Sequence, residues 1–260
     1  MLNTSRVLVV EDSRFFRNLV RDTVKKRIDA NVVAVETLAE TKDVVQKAVD
    51  GFDFALVDIV LPDAPNGEAV DWLLEQGIAC VVFTGMFSAS LRERLLAQNV
   101  VDYVVKDTPS SLEYLMDLVE QLHRNYERKV LVVDDSDLTR RYIVDQLRTY
   151  NLRPIEAKDG QQGLQALYDN TDVQLVISDF HMPMMDGVEM VRRMRMTHGR
   201  DRLAIIGLSS GGGGALSASF IKHGANDYLN KPFLREEFFC RVTQNLRMLD
   251  MIAQSRDMSI

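Results

Sequence analysis

Short apolar runs with polar residues only at their ends alternate along the chain with longer segments whose apolar positions fall at helical spacing. In the first half the runs are residues 6–11, 31–35, 54–58, 79–84 and 102–105, and segments such as 14–27 and 38–50 lie between them. Runs of this kind, rich in Val and Ile, suit strands buried on both faces of a parallel sheet. Five strands alternating with five helices predict an α/β fold, a doubly wound five-stranded parallel sheet with right-handed crossovers. The second half repeats the pattern, with strands expected at 129–134, 153–157, 175–179, 204–209 and 227–230.

The repetition extends to identities. Val7-Leu8-Val9-Val10-Glu11-Asp12-Ser13 returns as Val130-Leu131-Val132-Val133-Asp134-Asp135-Ser136, which marks a duplicated domain. The expected boundaries are 1–127 and 128–250, with 251–260 a helical extension. Between the domains, Ser110 and Glu113 have capping-box spacing and open a helix bearing Leu112, Leu115, Val119, Leu122 and Tyr126. That helix runs into Lys129 without a Gly/Pro/Ser-rich linker, so a restricted relative orientation is expected. Near the C-terminus, Val242, Leu246, Leu249 and Ala253 alternate steps of four and three. That spacing reads either as a coiled-coil seam or as one stripe facing its own domain.

Composition narrows the function classes. The 260 residues are 46% hydrophobic and 27% charged, a globular balance, and the net charge of −7 argues against a nucleic-acid partner. No apolar stretch approaches a membrane span and no signal peptide is visible, so a cytoplasmic protein without membrane contact is expected. Cys80 and Cys240 show no metal or redox spacing and read as buried thiols.

Polar residues recur in step with the acid pair: Asp58 with Asp179, Thr84 with Ser209, Tyr103 with Tyr228, Lys106 with Lys231. All fall at or near strand C-termini, where open α/β sheets bind ligands. Glu11, Asp12 and Asp58 should converge, as should Asp134, Asp135 and Asp179. Carboxylates about 4 to 5 Å apart repel by roughly 3 to 4 kcal/mol per pair at an effective dielectric of about 20, so such a cluster calls for a cation. Hard oxygen donors without His or Cys point to Mg²⁺; a solvated acidic rim is the alternative for one copy alone. A lysine able to reach the third-strand aspartate, with a nearby hydroxyl, completes a phosphoryl-transfer site whose aspartate becomes an acyl phosphate.

With these residues in place, the sequence resembles, twice over, the receiver domains of two-component response regulators, which have a flavodoxin-like (βα)5 fold. The matching features are the two acid pairs, Asp58-Ile59-Val60-Leu61-Pro62 and Asp179-Phe180-His181-Met182-Pro183 with Gly67 and Gly187 beyond them, and the recurring hydroxyls and lysines. The resemblance implies that Asp58 and Asp179 are phosphoacceptors served by a histidine kinase or phosphotransfer protein. It implies Mg²⁺ held by Asp12 and Asp135 directly, by Glu11 and Asp134 through water, by Asp58 and Asp179, and by the backbone carbonyls of Val60 and His181. The His181 side chain is then a rim residue. Thr84, Ser209, Lys106 and Lys231 would bind the phosphoryl group, and Tyr103 and Tyr228 would be switch aromatics, or strand-end residues that never switch.

The residues from Phe220 to Val242 further resemble the receiver that precedes a diguanylate cyclase (GGDEF) domain in dual-receiver regulators. A non-enzymatic regulatory module is thus expected, acting on an output beyond residue 260. A stand-alone adaptor or phosphate sink working through a partner protein is the rival, and a second copy of the chain is a candidate partner. An aspartyl-phosphate phosphatase would want an acid where Val60 and His181 stand.

The copies also differ. Lys231 is followed by Pro232, which in receivers usually follows a cis bond, whereas Lys106 is followed by Asp107. That departure predicts a displaced Lys106 loop and a first site less fitted to phosphorylation. The turn before Gly67 is one residue longer than that before Gly187 and should reshape the rim. Ser209-Ser210-Gly211-Gly212-Gly213-Gly214 lacks a P-loop ending and reads as a mobile loop ordered by phosphorylation.

Overall fold

The computed structural model describes residues 4–86, 88–210 and 213–257. The chain divides between Tyr126 and Glu127 into two compact units, with the stretch Thr149–Asn151 grouped with the first. The first unit holds β1 (Ser5–Val10), α1 (Arg14–Arg27), β2 (Ala30–Val35), α2 (Leu38–Lys47), β3 (Phe54–Val57), α3 (Glu68–Glu75), β4 (Ala79–Thr84), α4 (Ala89–Ala97), β5 (Asp102–Val105) and α5 (Pro109–Asn125). The second holds β6 (Lys129–Val133), α6 (Asp137–Thr149), β7 (Arg153–Ala157), α7 (Gly160–Asp169), β8 (Val173–Asp179), α8 (Gly187–Arg195), β9 (Ala204–Ser210), α9 (Gly213–His223), β10 (Asp227–Lys231) and α10 (Arg235–Asp257).

Each unit is a five-stranded parallel sheet, ordered β2-β1-β3-β4-β5 and β7-β6-β8-β9-β10. In both, the strand order reverses beside the first strand, which places the ends of β1 and β3, or β6 and β8, at a crevice open to ligands.

Continuous apolar runs form these strands because both faces are covered. Leu8, Val10, Ala55, Val57 and Val82 point to one side of the first sheet and pack with Ala69, Val70 and Leu73 of α3. Val7, Val9, Phe54, Leu56 and Val81 point to the other and meet Val20 and Val24 of α1 and Leu115, Val119 and Leu122 of α5. Each Val, Leu or Phe among them contributes about 1.5 to 3 kcal/mol on full burial. In the second unit Leu131, Val133, Val176 and Ile205 pack under Met190, Val191 and Met194 of α8 and Phe220 of α9.

Two local expectations are corrected and one open alternative is resolved. The helix expected to open at a Ser110–Glu113 capping box starts earlier: Pro109 is in its first turn, and the Thr108 side chain accepts from the Ser111 N–H. Glu113 pairs with Arg27 instead of turning back on the cap. Of the two readings open for Val242, Leu246 and Leu249, the structure has the stripe facing its own domain: these residues are buried and α10 lies against the sheet of its own unit, while Ala253 is exposed. Cys240, expected inside, is exposed on α10, whereas Cys80 is buried and its thiol is pushed well above the ordinary value by desolvation. Within the glycine run, Gly211 and Gly212 lie outside the described residues, and α9 already begins at Gly213. No helix among the described residues is long and apolar enough to cross a membrane.

Candidate functional site

Strand ends gather the recurring polar residues of each repeat at one place. In the first unit Glu11 follows β1, Asp58 follows β3, Thr84 ends β4 and Lys106 follows β5. Glu11, Asp58 and Thr84 are buried, and Asp12 is exposed. The Lys106 ammonium donates to Asp58 Oδ2 at 2.5 Å and also to Glu11 Oε2. In the second unit the Lys231 ammonium donates to Asp179 Oδ1 and Asp134 Oδ2, each at 2.6 Å. Asp134 and Asp179 are buried and Asp135 is exposed.

The missing proline leaves the Lys106 ammonium in place between Glu11 and Asp58 and alters only the loop that follows it. Lys231–Pro232 is cis, and it is the one cis bond among the described residues. Lys106 lies one residue beyond β5, yet its N–H still donates to the Thr84 carbonyl at 2.8 Å, so strand pairing carries the chain to the same point. The following loop does differ, since α5 begins at Pro109, whereas α10 begins four residues after Lys231.

Backbone donors hold the carboxylates. Val60 N–H reaches Asp58 Oδ1 at 3.3 Å and His181 N–H reaches Asp179 Oδ2 at 3.0 Å. Ser13 N–H reaches Glu11 Oε1 at 3.3 Å, and Ser136 N–H reaches Asp134 Oδ1 at 2.9 Å. The side chains of Val60 and His181 are exposed at the rim, the imidazole edge-on to the Phe180 ring. Desolvation raises the Glu11 and Asp134 carboxyls above their ordinary values, although their lysines pull the other way. Burial works against charge on Lys231 too, but the Asp134 and Asp179 carboxylates outweigh it and its pKa is raised.

The hydroxyls and tyrosines are placed differently in the two units. Thr84 Oγ1 accepts from Met86 N–H at 3.3 Å, whereas Ser209 Oγ donates to Asn230 Oδ1 at 3.0 Å. Tyr103 is buried with its hydroxyl on the Met86 carbonyl, and desolvation raises its pKa. Tyr228 is half-buried. The longer turn of the first unit does alter the rim: the Asp63 carboxylate accepts from the N–H groups of Leu38 and Ala39, each at 2.9 Å, and these bonds hold its pKa down.

Two residues absent from the sequence reading belong to this framework. Arg17 Nη1 donates to the Glu11 carbonyl at 2.8 Å, and Arg140 Nη1 donates to the Asp134 carbonyl at 2.8 Å. Each stands six residues after the first acid of its pair, a recurrence that the repeat itself could have disclosed. Both guanidiniums fix the backbone from which the acid pair projects.

The donor set suits a hard dication. Glu11, Asp12 and Asp58 each offer an oxygen, all within 4.8 Å of one another, the one such cluster among the described residues. Three carboxylates against one ammonium leave two negative charges, matched by one divalent cation, and oxygen-only donors favour Mg²⁺. Asp134, Asp135, Asp179 and Lys231 have the same charge balance.

Comparisons with known proteins agree with this arrangement. Residues 7–120 and 130–243 each match the response regulator receiver domain family. The chain is 38% identical over 106 residues to a Chemotaxis protein CheY homolog of Campylobacter jejuni, a match covering 40% of this chain and 82% of that protein. It is 30% identical over 135 residues to the Peroxide stress-activated histidine kinase mak3 of Schizosaccharomyces pombe, covering 50% of this chain and 6% of the kinase. Among solved structures, a two-component system response regulator/GGDEF domain protein superposes with a TM-score of 0.82 at 39% identity, over 95% of this chain and 99% of that one. Two strand-end acid sites, each bridged by a lysine and each within a matched segment, place this chain in the response regulator receiver family, with two copies of its domain in tandem.

Proposed function

We propose that the chain is a tandem signalling module phosphorylated on Asp58 and on Asp179, with Mg²⁺ as cofactor. The observation that carries this reading is the lysine ammonium bridging the first acid and the strand-end aspartate in both units. Asp12 and Asp135, exposed beside these pairs, would hold the metal together with the phosphoacceptors and the Val60 and His181 carbonyls, with Glu11 and Asp134 behind water. Bound there, Mg²⁺ would neutralise charge on the transferring phosphoryl group.

The aspartate supplies the nucleophile. One carboxylate oxygen attacks phosphorus, the bond from phosphorus to the donor's leaving group breaks, and an acyl phosphate forms. The attacking group is a carboxylate oxygen, so the step needs no separate general base. Lys106 or Lys231 then exchanges its carboxylate partner for a phosphoryl oxygen, and Thr84 or Ser209 donates to another. The added charge of about −1.5 to −2 draws that hydroxyl and its loop inward, and the neighbouring tyrosine, Tyr103 or Tyr228, reports the movement.

Likeness to a segment of a histidine kinase supports a histidine kinase or phosphotransfer protein as donor. Likeness to the response regulator/GGDEF structure supports a diguanylate cyclase as output, placed after this module, and hence cyclic di-GMP signalling. The chemotaxis relative favours a second reading, an adaptor or phosphate sink acting through protein contacts. Reading the encoded protein past Ile260 separates the two, because only the first requires a cyclase there.

The phosphoryl chemistry is tested with acetyl phosphate. The expected product is a hydroxylamine-labile phosphoryl group that forms only with Mg²⁺ and forms more slowly in Asp12→Asn and Asp135→Asn chains. Uptake independent of Mg²⁺, or an adduct stable to hydroxylamine, contradicts the proposal.

A further inference from the structure

Lys106 reaches the same position as Lys231 although the surroundings of the two lysines have little in common. Beyond Lys231 the Phe233 ring stacks on Phe238 at 5.4 Å and lies 6.1 Å from Tyr142, so an aromatic anchor fixes that loop one residue past the proline. The residues that follow Lys106, Asp107 and Thr108, carry no aromatic ring. Asp107 turns away to accept from the Ser111 hydroxyl at 2.5 Å.

The rings of the first unit stand on the ammonium itself. Lys106 Nζ lies 5.0 Å from the centroid of Phe16 in α1 and 5.3 Å from that of Phe83 in β4. The two rings meet edge to face, with centroids 6.4 Å apart. The Lys106 side chain is 5% exposed, against 16% for Lys231. At the corresponding positions of the second unit stand Thr139 and Leu208, which have no π face. A cation within about 6 Å of an aromatic centroid is drawn to the ring's negative face, more strongly when water is excluded.

We infer that Phe16 and Phe83 form an aromatic cage that positions Lys106 between Glu11 and Asp58. The two repeats thus bring a lysine to the same point by different means, one through rings on the charge and the other through a ring on the loop. The attraction is electrostatic, so it scales with the electron density of the ring face and not only with ring shape. Phe16 and Phe83 are positioning residues; only Lys106 would touch the phosphoryl group. Its use in phosphoryl uptake rests on the function proposed for Asp58, while the cage itself does not.

The test uses the full chain carrying Asp179→Ala, so that only the first site is read. With lysine labelled at ¹³Cε, the Lys106 resonance, identified as the one lost in Lys106→Arg, is expected to be shifted by ring currents. Phe16→Thr with Phe83→Leu should return it to the ordinary lysine position and slow phosphoryl uptake from acetyl phosphate by about five-fold or more. Fluorinated phenylalanine at both positions keeps shape and fold, and each added fluorine should slow uptake further while the unfolding midpoint holds. An unmoved Lys106 resonance in the double variant, or uptake indifferent to fluorination, overturns the cage. If Asp58 takes no phosphoryl group even with Phe16 and Phe83 intact but the resonance moves as expected, the cage stands and the function proposed for Asp58 falls.

Discussion

Replacing Gly187 with alanine should destabilise the second unit by about 3 kcal/mol, the upper end of overpacking costs, and abolish phosphoryl uptake at Asp179. A Cβ there would lie 2.2 Å from the backbone carbonyl of Asp179 and 3.0 Å from Phe220 Cζ. The first contact is with main chain, which cannot swing aside as a side chain would. Relief requires moving the end of β8, and with it the carboxylate held by Lys231. The matching residue Gly67 is needed for another reason: its φ of +91° is a left-handed conformation, and its Cβ would meet only the flexible end of Arg94 at 3.0 Å and Ile59 at 3.7 Å. Gly67→Ala should therefore cost about 1 to 2 kcal/mol, by backbone strain. Denaturant unfolding of the two variants, followed by signals from each unit, checks the order; equal costs would contradict it.

The second large effect is at Arg140. Its side chain is 5% exposed and holds the Asp134 carbonyl, Glu156 Oε2 at 3.1 Å and Asp137. Breaking a buried ion pair commonly costs about 3 to 5 kcal/mol, because a charge is left buried and unpaired. Here the carboxylates left behind, Asp137 and Glu156, are largely exposed and regain water. The loss is therefore set by the orphaned carbonyl and the lost packing, about 2 to 3 kcal/mol. Arg140→Ala should also weaken Mg²⁺ binding at the second site, because Asp135 projects from the backbone that Arg140 holds. Arg17→Ala should cost less, since Arg17 is less deeply buried, 12% exposed against 5% for Arg140. Calorimetric Mg²⁺ titration and denaturation of the two variants decide the matter; a larger loss for Arg17→Ala would count against this account.

What the sequence disclosed, and what it hid, follows from how locally each feature is encoded. Alternating apolar runs determine strands because both sheet faces need covering, and the duplicated acid pair put Glu11, Asp58 and Lys106 in register with Asp134, Asp179 and Lys231. Those signals are short-range or repeated. The change at Asp107 is local and shows as a different loop, whereas the rings against the Lys106 ammonium, Phe16 and Phe83, lie about 90 and 23 residues away in sequence and give no local signal. Arg17 and Arg140 sit on helices whose other charged residues face water, so nothing local separates them from ordinary surface arginines. Gly187 was visible as a motif glycine, but the approach of the Asp179 carbonyl that requires it is a tertiary fact. The stripe from Val242 to Leu249 has spacing suited equally to a partner helix or to its own sheet, and only packing chose the sheet.

The two sites also differ less than their sequences suggest. The first has the more enclosed lysine and three carboxylates drawn close enough to share an ion, so a missing proline does not disqualify it. Whether both aspartates accept a phosphoryl group is decided by intact-mass counting after treatment with acetyl phosphate and Mg²⁺. Two groups are expected on the unsubstituted chain, one on Asp58→Ala, one on Asp179→Ala and none on the double variant. A single variant that takes up none, or a double variant that still takes one up, overturns phosphorylation of both aspartates.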